Sequence, residues 1–215
     1  MSETRLKITE IFYSLQGEAR NVGLPTVFIR LTGCPLRCEY CDTAYAFTGG
    51  EWMEIESILG EVKKHNTSHV TVTGGEPLAQ KNCVTLLQQL CNQGYDVSLE
   101  TSGAILVDAV DKRVVKILDV KTPASGEVDK NKFENFALLN TEDQIKFVIC
   151  DENDYQWSKQ VMIEHQLEKK CELLFSPGHD LLDATTLADW VLRDQLNVRL
   201  QIQLHKYLWG DKPGV

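Results

Sequence analysis

Three cysteines fall close together in the run Cys34-Pro35-Leu36-Arg37-Cys38-Glu39-Tyr40-Cys41. Thiolates are soft ligands, and intervals this short suit a single inorganic centre. A closed structural zinc site takes four protein ligands. A [4Fe-4S] cluster also presents four irons to be ligated. Three cysteines on such a cluster leave one iron open to a small molecule, which points to chemistry rather than scaffolding. A zinc knob that borrows His65 or His69 is the alternative reading. A plain electron-transfer cluster would want a fourth cysteine, and none stands nearby.

Other polar residues gather where apolar runs end. Thr73-Gly74-Gly75-Glu76-Pro77 follows one such run. Glycine accepts positive φ and lets backbone approach closely, and proline fixes the exit. Taken alone, the segment is only a turn. Glu100-Thr101-Ser102-Gly103 closes the next run, where Ser102 reads either as a group for ribose hydroxyls or as a strand cap. Asp119-Val120-Lys121 and Ser176-Pro177-Gly178-His179 are similarly placed. A lysine at a strand end is often just a solvated exit residue. Upstream, Phe28-Ile29-Arg30 leads straight into the cysteines. Arg30 suits a carboxylate held through a bidentate pair, or else it points outward from its strand.

The elements that must position these residues follow from periodicity. Residues 7–13 and 26–32 read as strands, joined by a polar loop with Gly17, Gly23 and Pro25. Ile55, Ile58, Leu59 and Val62 recur at helical spacing, the stripe of a helix laid on a sheet. Strands are predicted over 69–73, 96–100, 114–120, 144–150, 171–175 and 198–204. Helices are predicted around Val84-Leu87-Leu90-Cys91, Trp157–Val161 and Leu187–Val191. Strands alternating with helices imply parallel pairing and right-handed crossovers. The expected fold is α/β, an incomplete TIM-like barrel of about six parallel strands with a cluster-binding loop near the N-terminus. In such folds the chemistry gathers at the C-terminal ends of the strands.

Composition narrows the classes. A chain of 215 residues supports one domain, expected over 1–215. No stretch approaches the roughly 18 apolar residues of a membrane helix. The opening Met1-Ser2-Glu3-Thr4-Arg5 lacks the apolar segment of a signal peptide. The 31 acidic against 22 basic side chains, formal charge −9, argue against nucleic acid as a partner. Seven cysteines is an odd number, and Cys83, Cys91, Cys150 and Cys171 lie scattered in apolar patterns. A disulfide framework is not expected, and a reducing cytoplasm is.

Taken together, the CxxxCxxC spacing, the aromatic Tyr40 before its last cysteine and the GGEP segment at Gly74–Pro77 resemble the radical S-adenosylmethionine superfamily. Three more segments narrow the resemblance: Ser14-Leu15-Gln16-Gly17-Glu18, Asp42-Thr43 after the cysteines, and Gln203-Leu204-His205-Lys206-Tyr207. This combination resembles the 7-carboxy-7-deazaguanine synthase family of queuosine and 7-deazapurine biosynthesis, from about Ile8 to Tyr207. The resemblance implies a [4Fe-4S] cluster on Cys34, Cys38 and Cys41, whose open iron is chelated by S-adenosylmethionine. It implies cofactor contacts from Tyr40, Cys41, Asp42, Gly75, Glu76, Ser102, Asp119, Val120, Lys121 and Ser176, with Glu76 balancing the methionine ammonium. It implies Mg²⁺ on Thr43. It also implies a 6-carboxytetrahydropterin substrate met by Leu15, Gln16, Gly17, Glu18, Arg30, Thr73 and His205, although His205 equally reads as a structural histidine. A C–N lyase reaction, a flavodoxin-like external electron donor and a homodimer complete what the resemblance implies. Members of the family often end soon after the His-Lys motif, whereas this chain runs on to Val215. A glycyl-radical activase and a non-catalytic iron-sulfur or zinc module are the rival readings.

Overall fold

The computed structural model describes residues 4–210 together with Lys212 and Gly214. Nine strands form one sheet. They are β1 (Arg5–Leu15), β2 (Pro25–Leu31), β3 (Glu51–Glu54), β4 (His69–Gly74), β5 (Asp96–Thr101), β6 (Val115–Val120), β7 (Gln144–Ile149), β8 (Glu172–Pro177) and β9 (Arg199–Leu200). Their order is β3-β1-β2-β4-β5-β6-β7-β8-β9. From β2 to β9 every neighbour is parallel. β1 runs antiparallel to both β2 and β3. The sheet is open, a mostly parallel partial barrel with an antiparallel flank.

Alternation along the strands sorts the side chains into two faces. Ile29, Val72, Leu99, Leu118, Phe147 and Phe175 belong to the main core. Helices cover it: α1 (Ile55–Val62), α2 (Cys83–Asn92), α3 (Glu152–Glu164) and α4 (Ala184–Arg193). The α1 stripe Ile55, Ile58, Leu59 and Val62 is buried as its spacing predicts. In α2 the buried positions are Cys83, Leu86, Leu87, Leu90 and Cys91, so Val84 stands at the edge of the stripe. Asp151 caps α3 by accepting from Asp154 N at 2.8 Å, and Asp183 caps α4 by accepting from Thr186 N at 3.0 Å. The other face is largely polar toward the strand ends. At its base Ala19, Ile117 and Leu174 form a small separate apolar cluster.

Three features depart from the sequence reading. The first two strands extend the sheet as an antiparallel pair, because the short β1–β2 connection returns the chain directly beside itself. The crossovers β5–β6 and β6–β7 carry no α-helix. They are knit by Asn135, whose amide donates to Gly103 O (3.0 Å) and Ile105 O (3.1 Å) and accepts from Val107 N (3.0 Å). The last predicted strand shrinks to Arg199–Leu200, and α5 (Leu204–Trp209) follows. His205 therefore sits on a short helix, not at a strand end.

Candidate active site

The inward-facing polar residues meet at the C-terminal ends of the parallel strands. There they line a cavity of about 260 Å³, too large for a packing defect in an interior as dense as an organic crystal. Its rim is the loop after β2, which carries Cys34, Cys38 and Cys41, all free thiols and half-buried. Protein donors hold this loop in place. Gly33 N donates to Ala46 O at 2.8 Å, Arg37 N to Glu127 Oε1 at 2.5 Å and Glu39 N to Ser125 O at 3.0 Å. The Arg37 guanidinium bonds Cys34 O at 2.8 Å and Leu36 O at 2.6 Å, and lies 4.3 Å from the Phe47 ring centroid. Burial pushes the Cys34 thiol up and Cys38 up to about 11, opposed in both by the Lys121 ammonium.

The GGEP turn packs directly on this loop. A Cβ at Gly75 would stand 2.4 Å from Gly33 O and 2.6 Å from the Cys34 Cβ. Gly75 N donates to Leu31 O and Glu76 N to Gly33 O. Glycine is needed here because two pieces of backbone touch. Glu76 is fully buried and its carboxylate is taken by protein donors: Thr101 Oγ1 at 2.9 Å, Ser102 N at 2.7 Å, Ser102 Oγ at 2.5 Å and Leu78 N at 3.0 Å. It ties the end of β4 to the end of β5 from behind the cavity.

Along β6, Asp119 and Lys121 face the cavity, while Val120, on the opposite face, is buried in the core. The Lys121 ammonium lies 3.1 Å from Asp119 Oδ1. Burial alone would lower the Lys121 pKa, but Asp119 together with Tyr40 and Cys38 outweighs it, and the group is held above its ordinary value. The Tyr40 hydroxyl is buried with no hydrogen-bond partner among the described residues, and Asp119 Oδ1 is met only by the Lys121 ammonium. An unsatisfied buried hydroxyl is costly, and one on the cavity wall beside a buried ion pair points to a polar ligand.

The opposite wall comes from the β1–β2 loop. The Gln16 side chain is buried, donating to Thr71 Oγ1 at 3.1 Å, and Thr71 in turn pairs with Ser98 Oγ at 2.8 Å. Glu18 accepts from Lys146 Nζ at 2.7 Å and Gln203 Nε2 at 2.8 Å. Burial would raise the Glu18 pKa, yet Lys146 and Gln203 leave it lowered. Gly17 sits against His205 so closely that a Cβ there would fall 2.0 Å from Nδ1. Burial holds that imidazole below its ordinary pKa, hence neutral near pH 7. Thr73 donates to Glu100 Oε2 at 2.9 Å, and Arg30 Nε to Glu10 Oε1 at 2.7 Å. Thr43 donates to Asp42 Oδ1 at 2.7 Å, and Ser102 and Ser176 lie on the lining.

Of the cluster, cofactor, Mg²⁺ and substrate residues that the resemblance implies, all but Glu76 and Val120 line this one cavity, Leu15 included, whereas His65 and His69 do not. Lys146, Glu100 and Gln203 join them without having been assigned a role. Lys146 had a signal: a lone charge inside the apolar run Gln144–Cys150. Val215 lies outside the described residues.

Comparison with known proteins decides the family. Residues 28–119 match the radical SAM superfamily. The 7-carboxy-7-deazaguanine synthase of Chlorobaculum tepidum is 45% identical, with 100% of this chain and 99% of that one covered. That of Koribacter versatilis is 44% identical over 95% of this chain and 97% of its own. This chain belongs to the 7-carboxy-7-deazaguanine synthase family. The crystal structure of QueE from Escherichia coli shares the fold, with a TM-score of 0.77 over 93% of this chain and 94% of that one at 23% identity. Membership in the radical SAM superfamily implies a [4Fe-4S] cluster, S-adenosylmethionine, a reductant and a small-molecule substrate. The donor set fits a synthase of this family: three free thiols on an anchored loop, beside a wall that carries the unpartnered Tyr40 hydroxyl and the Asp119–Lys121 pair. Among the described residues no helix is long and apolar enough to cross a membrane.

Proposed function

We propose that this chain, as one catalytic domain over residues 1–215, converts 6-carboxy-5,6,7,8-tetrahydropterin into 7-carboxy-7-deazaguanine. Ammonia is released, so the reaction is that of a C–N lyase. The observation that carries this reading is the meeting of the three thiols with Arg30, Glu18 and His205 around one cavity. When bound, a cluster on these thiols would supply the one-electron reduction of S-adenosylmethionine from which radical chemistry on the pterin starts.

Cys34, Cys38 and Cys41 hold the cluster. Tyr40, Asp42, Gly75, Ser102, Asp119, Lys121 and Ser176 would receive the cofactor, with the Tyr40 hydroxyl gaining the hydrogen-bond partner it lacks. Glu76 and Val120 act on it through the backbone they position. Arg30 receives the substrate carboxylate through its terminal nitrogens. The backbone of Leu15 and Gly17 meets the heterocycle edge with Glu18, Thr73 and neutral His205, while Gln16 braces that loop from below. Thr43 is the Mg²⁺ ligand, an oxygen donor beside a carboxylate, as a hard cation that keeps most of its waters requires. The protein is cytoplasmic, draws electrons from a flavodoxin-like donor and forms a homodimer.

The test is anaerobic reconstitution with iron and sulfide, followed by reduction and incubation with both ligands. Mass spectrometry should find the deazaguanine acid and little net loss of S-adenosylmethionine. Cleavage of the cofactor with no deazaguanine formed would move the chain to another radical reaction.

A further inference from the structure

Arg30 and Glu10 sit directly opposite one another in the β1–β2 ladder, although the register just before them is broken. Ile8 pairs with Leu31, and the next pair is Glu10 with Arg30, so one extra residue, Thr9, is accommodated on β1. A β-bulge of this kind turns the following side chain, and bulges cluster beside active sites for that reason. Here the bulge delivers the Glu10 carboxylate to the edge of the Arg30 guanidinium. Arg30 Nε donates to Glu10 Oε1 at 2.7 Å, and the Tyr45 hydroxyl donates to the same oxygen at 2.8 Å. The guanidinium carbon lies 5.8 Å from the ring centroids of both Phe12 and Tyr45. Phe12 is itself stacked on Phe28, with centroids 4.9 Å apart and planes 9° from parallel.

A guanidinium offers two edges to a carboxylate: the side edge, Nε with one Nη, and the end edge, Nη1 with Nη2. Glu10 occupies Nε. Among the described residues Nη1 and Nη2 have no hydrogen-bond or ion-pair partner, in a side chain that lines the cavity. The arginine is thus fixed by one edge and flanked by aromatic rings, with its other edge left for a ligand.

We propose that Glu10, aimed by the bulge at Thr9 and held by Tyr45, is a positioning residue that locks Arg30 end-on and so makes the cavity selective for a planar carboxylate on the substrate. This rests on the reading of Arg30 as the carboxylate receptor. Preorganisation lowers the ordering cost of binding, but the negative charge of Glu10 also weakens attraction for an anion. The two effects separate by substitution. Glu10→Gln keeps an oxygen acceptor for Nε and removes the charge, whereas Glu10→Ala removes both.

The reconstituted holoenzyme is assayed for KM and kcat with carboxytetrahydropterin, for KM with S-adenosylmethionine, and for inhibition by the corresponding neutral pterin carboxamide. Glu10→Ala should raise the pterin KM about tenfold, the scale of one good contact. It should leave the S-adenosylmethionine KM unchanged and narrow the preference for carboxylate over carboxamide. Glu10→Gln should stay within about threefold of the parent or bind slightly tighter, and Tyr45→Phe should fall between the two. Wild-type pterin KM in Glu10→Ala, or a parallel rise in both KM values, overturns the inference while leaving the functional reading intact. A parent enzyme that neither binds nor turns over the carboxypterin overturns both.

Discussion

Arg30 is proposed as the receptor of the substrate carboxylate. Arg30→Ala should weaken carboxypterin binding by about 1.5–3 kcal/mol, the range for hydrogen bonds to charged groups. Arg30→Lys should recover little of it, because an ammonium lacks the planar fork. Substrate KM measurements on the reconstituted variants check both, and an unchanged KM for Arg30→Ala would put the carboxylate elsewhere. Glu100 gives a pH-dependent test. Burial, then the nearby Glu18 carboxylate, hold its pKa above the ordinary 4.5, against the pull of Lys146. With a folded value above the unfolded one, its contribution to stability is full below pH 4.5 and is lost as pH rises through the folded value. Glu100→Gln should therefore gain Tm relative to the parent as pH rises from about 4.5 toward neutrality. A Tm difference that is flat with pH would contradict the shift. At this scale the cysteines were legible because ligands on one loop declare themselves by spacing alone. Lys146 showed only as a lone charge in an apolar run, and its role stayed hidden because its partner Glu18 lies 128 positions away in the chain.

Among the elements, the contact between the GGEP turn and the cluster loop is the most demanding. Gly75→Ala places a methyl group 2.4 Å from the Gly33 carbonyl oxygen, backbone against backbone. The cluster loop must shift, and iron bound per chain after reconstitution should fall markedly. Gly60 is the control, inside α1 with nothing within 4 Å of a Cβ. Gly60→Ala should bind full iron and gain about 0.5–1 kcal/mol in stability from helix propensity. Equal iron in the two variants would remove the packing argument. Most elements could be read from period alone, because each apolar face must meet one core. The failures have physical causes. The crossovers after β5 and β6 are stapled by the Asn135 amide, a long-range side-chain device that leaves no periodic signal. Residues 198–204 have strand-like alternation, but little of the sheet edge remains for them beyond β9, and the chain turns into α5.

The whole molecule places apolar strand faces under four helices and reserves the polar faces for one cavity at the strand ends. That division was visible in the sequence as polar residues closing successive apolar runs. The closure of the cavity was not. It depends on the β1–β2 loop reaching Lys146 on β7 and Gln203 before α5, contacts between parts of the chain that only the curvature of the sheet brings together. Cys34, Cys38 and Cys41 are proposed to grip an iron-sulfur cluster and leave one iron for S-adenosylmethionine. Electron paramagnetic resonance of the reduced, reconstituted protein tests it directly. A cluster signal whose g values move when S-adenosylmethionine is added is expected, and no such signal in Cys38→Ala. A signal indifferent to the cofactor, or one that persists unaltered in Cys38→Ala, would contradict it.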